Sequence, residues 1–333
     1  MTMLKIGSLQ LKSNFILAPM AGITDFPFRM LCRKFGCELA FTEMLNVRSL
    51  SYNSRKTQQM LFSHKEDRPL GVQILGCEPK FILKALDILK KHKFDLLDFN
   101  AACPVKKVVR RGEGAALLCQ PKKLSQLLKL VVVNSSLPVT LKIRTGWDKD
   151  SVNAREVGLL AQDAGAGALF IHGRTKTQGY SGTVDYQTIR QVKEALDIPV
   201  IGSGDIYSPE AAKKMLDETN CDGIAIARGA LGNPWIFKEL AYDGKKPLKP
   251  DIEERISVMI GHLDMYTDFY GERTGVMLFR KFFSWYTKGL RKIRPLREKV
   301  SRAKKKEEMI KIIAKTLGIF YLLKYNKQLL KLY

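Results

Sequence analysis

Eight short apolar runs, separated by helix-length amphipathic stretches, leave this chain few folds to choose from. The runs are Phe15–Ala18, Leu39–Thr42, Gly71–Leu75, Leu96–Phe99, Val139–Ile143, Ala168–His172, Val200–Gly202 and Gly223–Ala227. Each is too short for a helix, stops at a turn signal, and reads as a strand buried on both faces. Pro27–Phe35, Pro79–Lys91, Pro121–Asn134, Asn153–Ala164, Tyr186–Ala195 and Pro209–Thr219 lie between them, with apolar residues at helical spacing. Eightfold alternation of this kind predicts an α/β fold, the (β/α)8 barrel. An open doubly wound sheet would want a GxGxxG turn after the first strand, and none is present.

The texture changes after Leu240. Residues 241–250 are polar and rich in Gly and Pro, and read as a linker between a barrel domain at 1–240 and a domain at 251–333. Past Asp251 the apolar residues keep three- and four-residue spacing, which predicts an all-α helical bundle. Arg273–Lys306 holds thirteen Lys and Arg against one acid, with Phe279, Phe282, Phe283, Trp285 and Tyr286 interleaved. The whole chain carries a net charge of +23, and concentrating so much of it in one segment exceeds what solubility needs. A nucleic acid is the natural counterpart. No run approaches the ~20 apolar residues of a membrane span. Six cysteines without a CxxC pair or zinc-type spacing, and an N-terminus without a signal peptide, point to a reducing cytoplasm and to no metal site. A monomer is the default expectation.

A barrel gathers the C-terminal ends of its strands on one rim, where active sites are built. The rim loops here are Pro19-Met20-Ala21-Gly22, Asn100–Cys103, Lys142-Ile143-Arg144, His172-Gly173-Arg174, Gly202–Asp205 and Ala227-Arg228-Gly229, with Gln73 in the third strand. Cys103 follows a strand end, precedes Pro104, and is trailed by Lys106, Lys107, Arg110 and Arg111. Such cations favour a thiolate and attract an anion, although a lone cysteine is equally often a small buried hydrophobe. The loops after strands seven and eight are glycine-rich, and Ser203 and Arg228 in them suit a phosphate. Lys142 is either an exposed strand-end lysine or a cation near a cofactor ring, and His172 either a core histidine or a ligand contact. Gln73 has the amide to read an imide edge. A flavin mononucleotide with a cysteine proton donor fits this set better than a hydrolase does.

Seven motifs in order then carry a resemblance: LAPMAGITDFPFR (Leu17–Arg29), GVQILG (Gly71–Gly76), DFNAACPVKKVVRRGEGAALL (Asp98–Leu118), LKIRTGW (Leu141–Trp147), HGRTKTQGYSG (His172–Gly182), GSGDI (Gly202–Ile206) and ARGALGNPWIF (Ala227–Phe237). Along essentially its whole length the chain resembles the bacterial tRNA-dihydrouridine synthases. The resemblance implies an FMN-bound barrel and a helical tRNA-binding domain. NADPH would reduce the flavin, which would reduce C5=C6 of a uridine in tRNA. It implies Cys103 as the general acid and Pro19, Met20, Ala21, Gln73, Lys142, His172, Ser203, Gly204, Asp205, Ala227 and Arg228 as cofactor-binding residues. Asn100, Arg174, Lys106, Arg280 and Lys281 would face the tRNA or its uracil. Three residues depart from the family pattern: Ala102 stands for a usual Gly, Ser203 for a usual Asn, and Phe282 for a usual His, so that helix's RNA contact is expected to differ. A small-molecule FMN reductase would leave the basic segment idle, and a non-catalytic tRNA-binding factor would leave the cofactor loops idle.

Overall fold

The computed structural model describes residues 3–52, 54–241, 250–290 and 292–316. The expected linker lies almost wholly outside them, as does the end of the helical segment. The chain divides into two compact units, Met1–Gly229 with Ile236–Ala241, and Ala230–Trp235 with Tyr242–Tyr333.

In the first unit the eight apolar runs are eight parallel strands: β1 (Phe15–Leu17), β2 (Leu39–Phe41), β3 (Leu70–Leu75), β4 (Leu96–Asn100), β5 (Val139–Arg144), β6 (Ala168–His172), β7 (Val200–Ser203) and β8 (Gly223–Ile226). Each pairs with the next, and β8 pairs with β1, so the sheet closes into the expected barrel. Helices follow most strands, and their starts are chemically marked. Asp25, Asp185 and Ser208 cap theirs by accepting from Phe28, Thr188 and Ala211 N–H, Pro209 follows Ser208 at a first helical position, and Pro79 and Pro121 open two others. Pro belongs at a first helical position because its missing N–H has no intrahelical partner there.

Two short strands not expected from the sequence, Leu4–Ile6 and Leu9–Leu11, form an antiparallel hairpin before the barrel. Leu4, Ile6 and Leu11 are at most 3% exposed and share one cluster with Ile16, Leu39, Leu96, Ala168, Ile201 and Ala225. A Cβ on Gly167 or Gly223, at the N-terminal ends of β6 and β8, would approach Gly7 and Leu4 of the hairpin. The hairpin therefore stoppers the end of the barrel opposite the rim. One layer up, Phe41 and Phe170 meet edge to face at 5.6 Å, a contact adding about 0.5–1.5 kcal/mol beyond burial. Above these rings the interior turns polar.

The second unit contains helices Ile252–Tyr270, Glu272–Tyr286 and Arg294–Arg302, and residues 306–316 are also helical. Asp251 caps the first by accepting from Glu254 N–H at 2.7 Å. The aromatics interleaved with the basic run are mainly core. Phe279, Phe282 and Phe283 are fully buried, and Phe282 packs against His262 with ring centroids 4.5 Å apart. Residue 282 is therefore a packing position, so the departure expected there falls in this core rather than on an exposed surface. Arg273, Lys288, Lys292, Arg294, Lys299, Arg302, Lys304 and Lys305 are exposed. Arg280 is half-buried, with its guanidinium donating to the Ala303 carbonyl at 2.6 Å. Lys281 is half-buried, its ammonium 5.1 Å from the Phe282 ring centroid. No described helix is long and apolar enough to cross a membrane.

Candidate active site

Parallel register decides which side chains meet on the barrel's inner wall. Gln73 of β3 lies beside Asp98 of β4, and Asp98 beside Thr140 of β5; one step nearer the rim, Asn100 lies beside Lys142. The first three form a continuous string. Thr140 Oγ1 donates to Asp98 Oδ1 at 2.6 Å, and Gln73 Nε2 donates to Asp98 Oδ2 at 2.7 Å. Asn100 Nδ2 donates to Gln73 Oε1 at 3.0 Å, while Asn100 Oδ1 accepts the backbone N–H groups of Ala102 and Cys103 at 3.0 and 2.9 Å. The Cys103 loop is thus hung from the interior by one asparagine.

Cys103 itself is half-buried, and Gly114 (φ +59) packs so closely that a Cβ there would lie 2.8 Å from its carbonyl oxygen. Burial pushes the Cys103 thiol above its ordinary pKa, with Glu113 adding to the shift; Val105 N–H, Arg144 and Arg111 pull it down less. This setting works against the thiolate that the nearby cations favour. Lys106, Lys107 and Arg110 project into solvent, where their charge is screened, and Arg111 is paired with Glu113 at 2.9 Å. Lys142, below Arg144 on β5, is drawn down to about 8 by burial, although Asp98 opposes this. Asp98 rises to about 6, again because it is buried.

A second cluster occupies the β6, β7 and β8 ends. Asp205 (φ +51) sits between two arginines: its carboxylate accepts from Arg174 Nη2 and from Arg228 Nη2, the latter at 2.8 Å. Arg174 is 1% exposed and also donates to the Ser181 and Gly182 carbonyls. Its Nη1 is buried without a hydrogen-bond partner. Gly204 has φ +134, and a Cβ there would meet Val184 at 2.8 Å and His172 at 3.2 Å. His172 is pushed down to about 2 by burial and by Arg144, Lys142, Arg174 and Arg228, so it stays neutral. Ser203 spends its hydroxyl proton on the Ile171 carbonyl at 3.0 Å. In the loop after β1, Met20 is held by Thr24, which accepts its N–H at 3.1 Å, leaving Pro19 half-buried and Ala21 exposed. Ala227 is half-buried just past β8.

Comparison with known proteins decides the family. The model for "Dihydrouridine synthase (Dus)" matches residues 16–319. The chain belongs to the dihydrouridine synthase family. It is 43% identical to the tRNA-dihydrouridine synthase B of Pasteurella multocida over 290 residues, 86% of this chain and 87% of that one. It is 40% identical to that of Pseudomonas aeruginosa over 305 residues, 91% and 92% of the two chains. Like other dihydrouridine synthases it is an oxidoreductase, and its product is dihydrouridine in tRNA. Two solved structures share its fold. A histamine dehydrogenase from Rhizobium sp. 4-9 matches with TM-score 0.55 at 14% identity, over 79% of this chain and 50% of that one. A variant of NCR from Zymomonas mobilis matches with TM-score 0.52 at 15% identity, over 76% and 94%.

Within this dihydrouridine synthase, sequence reasoning singled out Lys142 on β5 and passed over Arg144. Arg144 is 2% exposed, and donates from Nε to the Ala102 carbonyl at 2.8 Å and from Nη1 to the Thr175 and Gly179 carbonyls at 2.9 Å each. It fastens the Cys103 loop to the loop after β6. Lys106 is exposed on the short helix Lys106–Val109, and Arg280 and Lys281 belong to the second unit.

Proposed function

We propose that this chain is an FMN-dependent, NADPH-driven synthase that reduces the C5=C6 bond of uridines in tRNA, with Cys103 as the general acid. The observation that carries the reading is a half-buried thiol at the mouth of the barrel, its backbone N–H held by Asn100 above a buried polar wall of Gln73, Asp98 and Thr140. A general acid has to hold its proton until the reaction calls for it, and a thiolate could not serve.

The residues fit a flavin nucleotide. The unpartnered Arg174 Nη1, the side-chain-free approach at Gly204 and the exposed edge of Arg228 together suit the phosphate. Asp205 aims both guanidinium groups and offsets part of their charge. The hydroxyl of Ser203 is already engaged, so its contribution there falls to its backbone. Gln73 and Lys142 offer an amide edge and a cation to a flat heterocycle, and Pro19, Met20, Ala21 and Ala227 line the rim beside them. When bound, FMN supplies the two electrons for the C5=C6 reduction, drawn from NADPH. Cys103 Sγ then gives its proton to C5, and Asn100 holds the loop that aims it. Neutral His172 and Arg174 flank the substrate position. A uridine has to leave its stack to reach such a site. Lys106 near the mouth and the cations of the helical unit, Arg280 and Lys281 among them, would hold tRNA phosphates.

The test is to incubate the purified protein with NADPH and unmodified tRNA, wild type beside Cys103→Ala, and to measure dihydrouridine by nucleoside mass spectrometry. Product from wild type, with Cys103→Ala oxidising NADPH but yielding little, is expected. NADPH oxidation with every tRNA left unchanged would favour a small-molecule reductase.

A further inference from the structure

We infer that Asp98 is a positioning residue for the Cys103 acid, anchoring from inside the barrel the string of amides that ends on the Cys103 loop. The inference rests on the reading of Cys103 as the acid, and it goes beyond it, since Asp98 lies on none of the rim loops. Thr140, Asp98, Gln73 and Asn100 are at most 5% exposed, so their polar atoms must find partners within the protein. A carboxylate only accepts. Gln73 must therefore turn its NH2 to Asp98 and its carbonyl to Asn100. Asn100 must then turn its NH2 inward, which leaves its carbonyl for the N–H groups of Ala102 and Cys103. Every donor and acceptor in the string points the way the loop needs. Reversed, Asn100 would set its NH2 against two backbone donors.

Loss of the anchor leaves Gln73 free to turn, and this weakens the two hydrogen bonds from Asn100 that hold the loop beside those of Arg144 and Ala115. The charge of Asp98 is not what the string requires. An asparagine at 98 can keep its carbonyl on Gln73 and turn its NH2 to Thr140, whose hydroxyl accepts as well as donates.

The experiment is iodoacetamide labelling of the full-length protein as purified, following Cys103 by peptide mass spectrometry with exposed Cys119 as the internal reference. Asp98→Ala should raise the Cys103 rate about tenfold relative to Cys119, the equivalent of losing roughly one loop hydrogen bond, and speed amide exchange at residues 102 and 103. Asp98→Asn should keep the Cys103 rate within about twofold of wild type, because the anchor survives. Should the alanine variant not fold, Asp98→Ser, too short to span Thr140 and Gln73, carries the same expectation. An unchanged Cys103 rate in a folded Ala or Ser variant overturns the inference. So does an Asn variant that behaves like Ala, which would assign the effect to charge acting through Lys142. Because labelling needs no RNA, these outcomes are separate from the failure of the proposed function, which is read by wild type making no dihydrouridine.

Discussion

Arg144→Met replaces a buried guanidinium by an apolar chain of similar reach and cuts three hydrogen bonds, to Ala102, Thr175 and Gly179. A hydrogen bond from a charged donor contributes about 1.5–3 kcal/mol net, so three at the low end come to roughly 4.5 kcal/mol. Against this stands the desolvation of the guanidinium, whose pKa burial pushes down. Methionine escapes that cost, and the net loss is about 3 kcal/mol. For a domain of this size it should lower Tm by roughly 6–12 °C. Arg144→Lys should fall between, because one ammonium cannot reach both loops as a planar fork does. The assay pairs a thermal melt with hydrogen exchange. Since one side chain ties two loops, exchange should quicken both at residues 101–103 and at residues 175–180. A Tm within about 2 °C of wild type, or one loop loosening while the other holds, would refute the reasoning.

Three further outcomes can be checked. Gly229→Ala would place a Cβ 1.8 Å from the Ile206 carbonyl oxygen, a backbone atom that cannot swing aside, and should abolish soluble folded protein as judged by circular dichroism and gel filtration. Asp98 has a folded pKa of about 6 against an ordinary 3.8, so its contribution to stability is fully present below 3.8 and is lost as pH rises through about 6. Asp98→Asn removes that titration and should raise Tm more at pH 7.5 than at pH 5; a rise confined to pH 5 would contradict the sign. Burial raises the Cys103 thiol above its ordinary 9.0, so dihydrouridine formation should stay level through neutral pH and decline only beyond that value. An alkaline limb already complete by pH 8 would show a thiol less protected than its surroundings imply.

The barrel was legible because a parallel strand covered on both faces is a nearly unbroken apolar run, and Leu96–Phe99 or Val139–Ile143 can hardly be anything else. That alternation also placed the rim motifs on one face before any contact was known. The hairpin was not legible, since three-residue strands around Gly7 carry too few residues for a period to show. Arg144 escaped because its partners are carbonyls, and a backbone oxygen leaves no mark in a sequence. The burial of Cys103 was not legible for a different reason. Four nearby cations are visible in the letters, whereas the burial that outweighs them depends on Gly114 and Ala115 folding back onto the loop. The bonds between Asp98, Gln73 and Asn100 come from neighbouring strands whose register only the closed sheet supplies.

The N-terminal hairpin also shapes traffic. With Leu4, Ile6 and Leu11 covering one end, the described residues of the barrel leave access from the rim. If whatever brings electrons and whatever receives them both enter from that rim, arrivals and departures have to take turns. Steady-state kinetics would register such a queue as double-reciprocal lines that run parallel instead of converging.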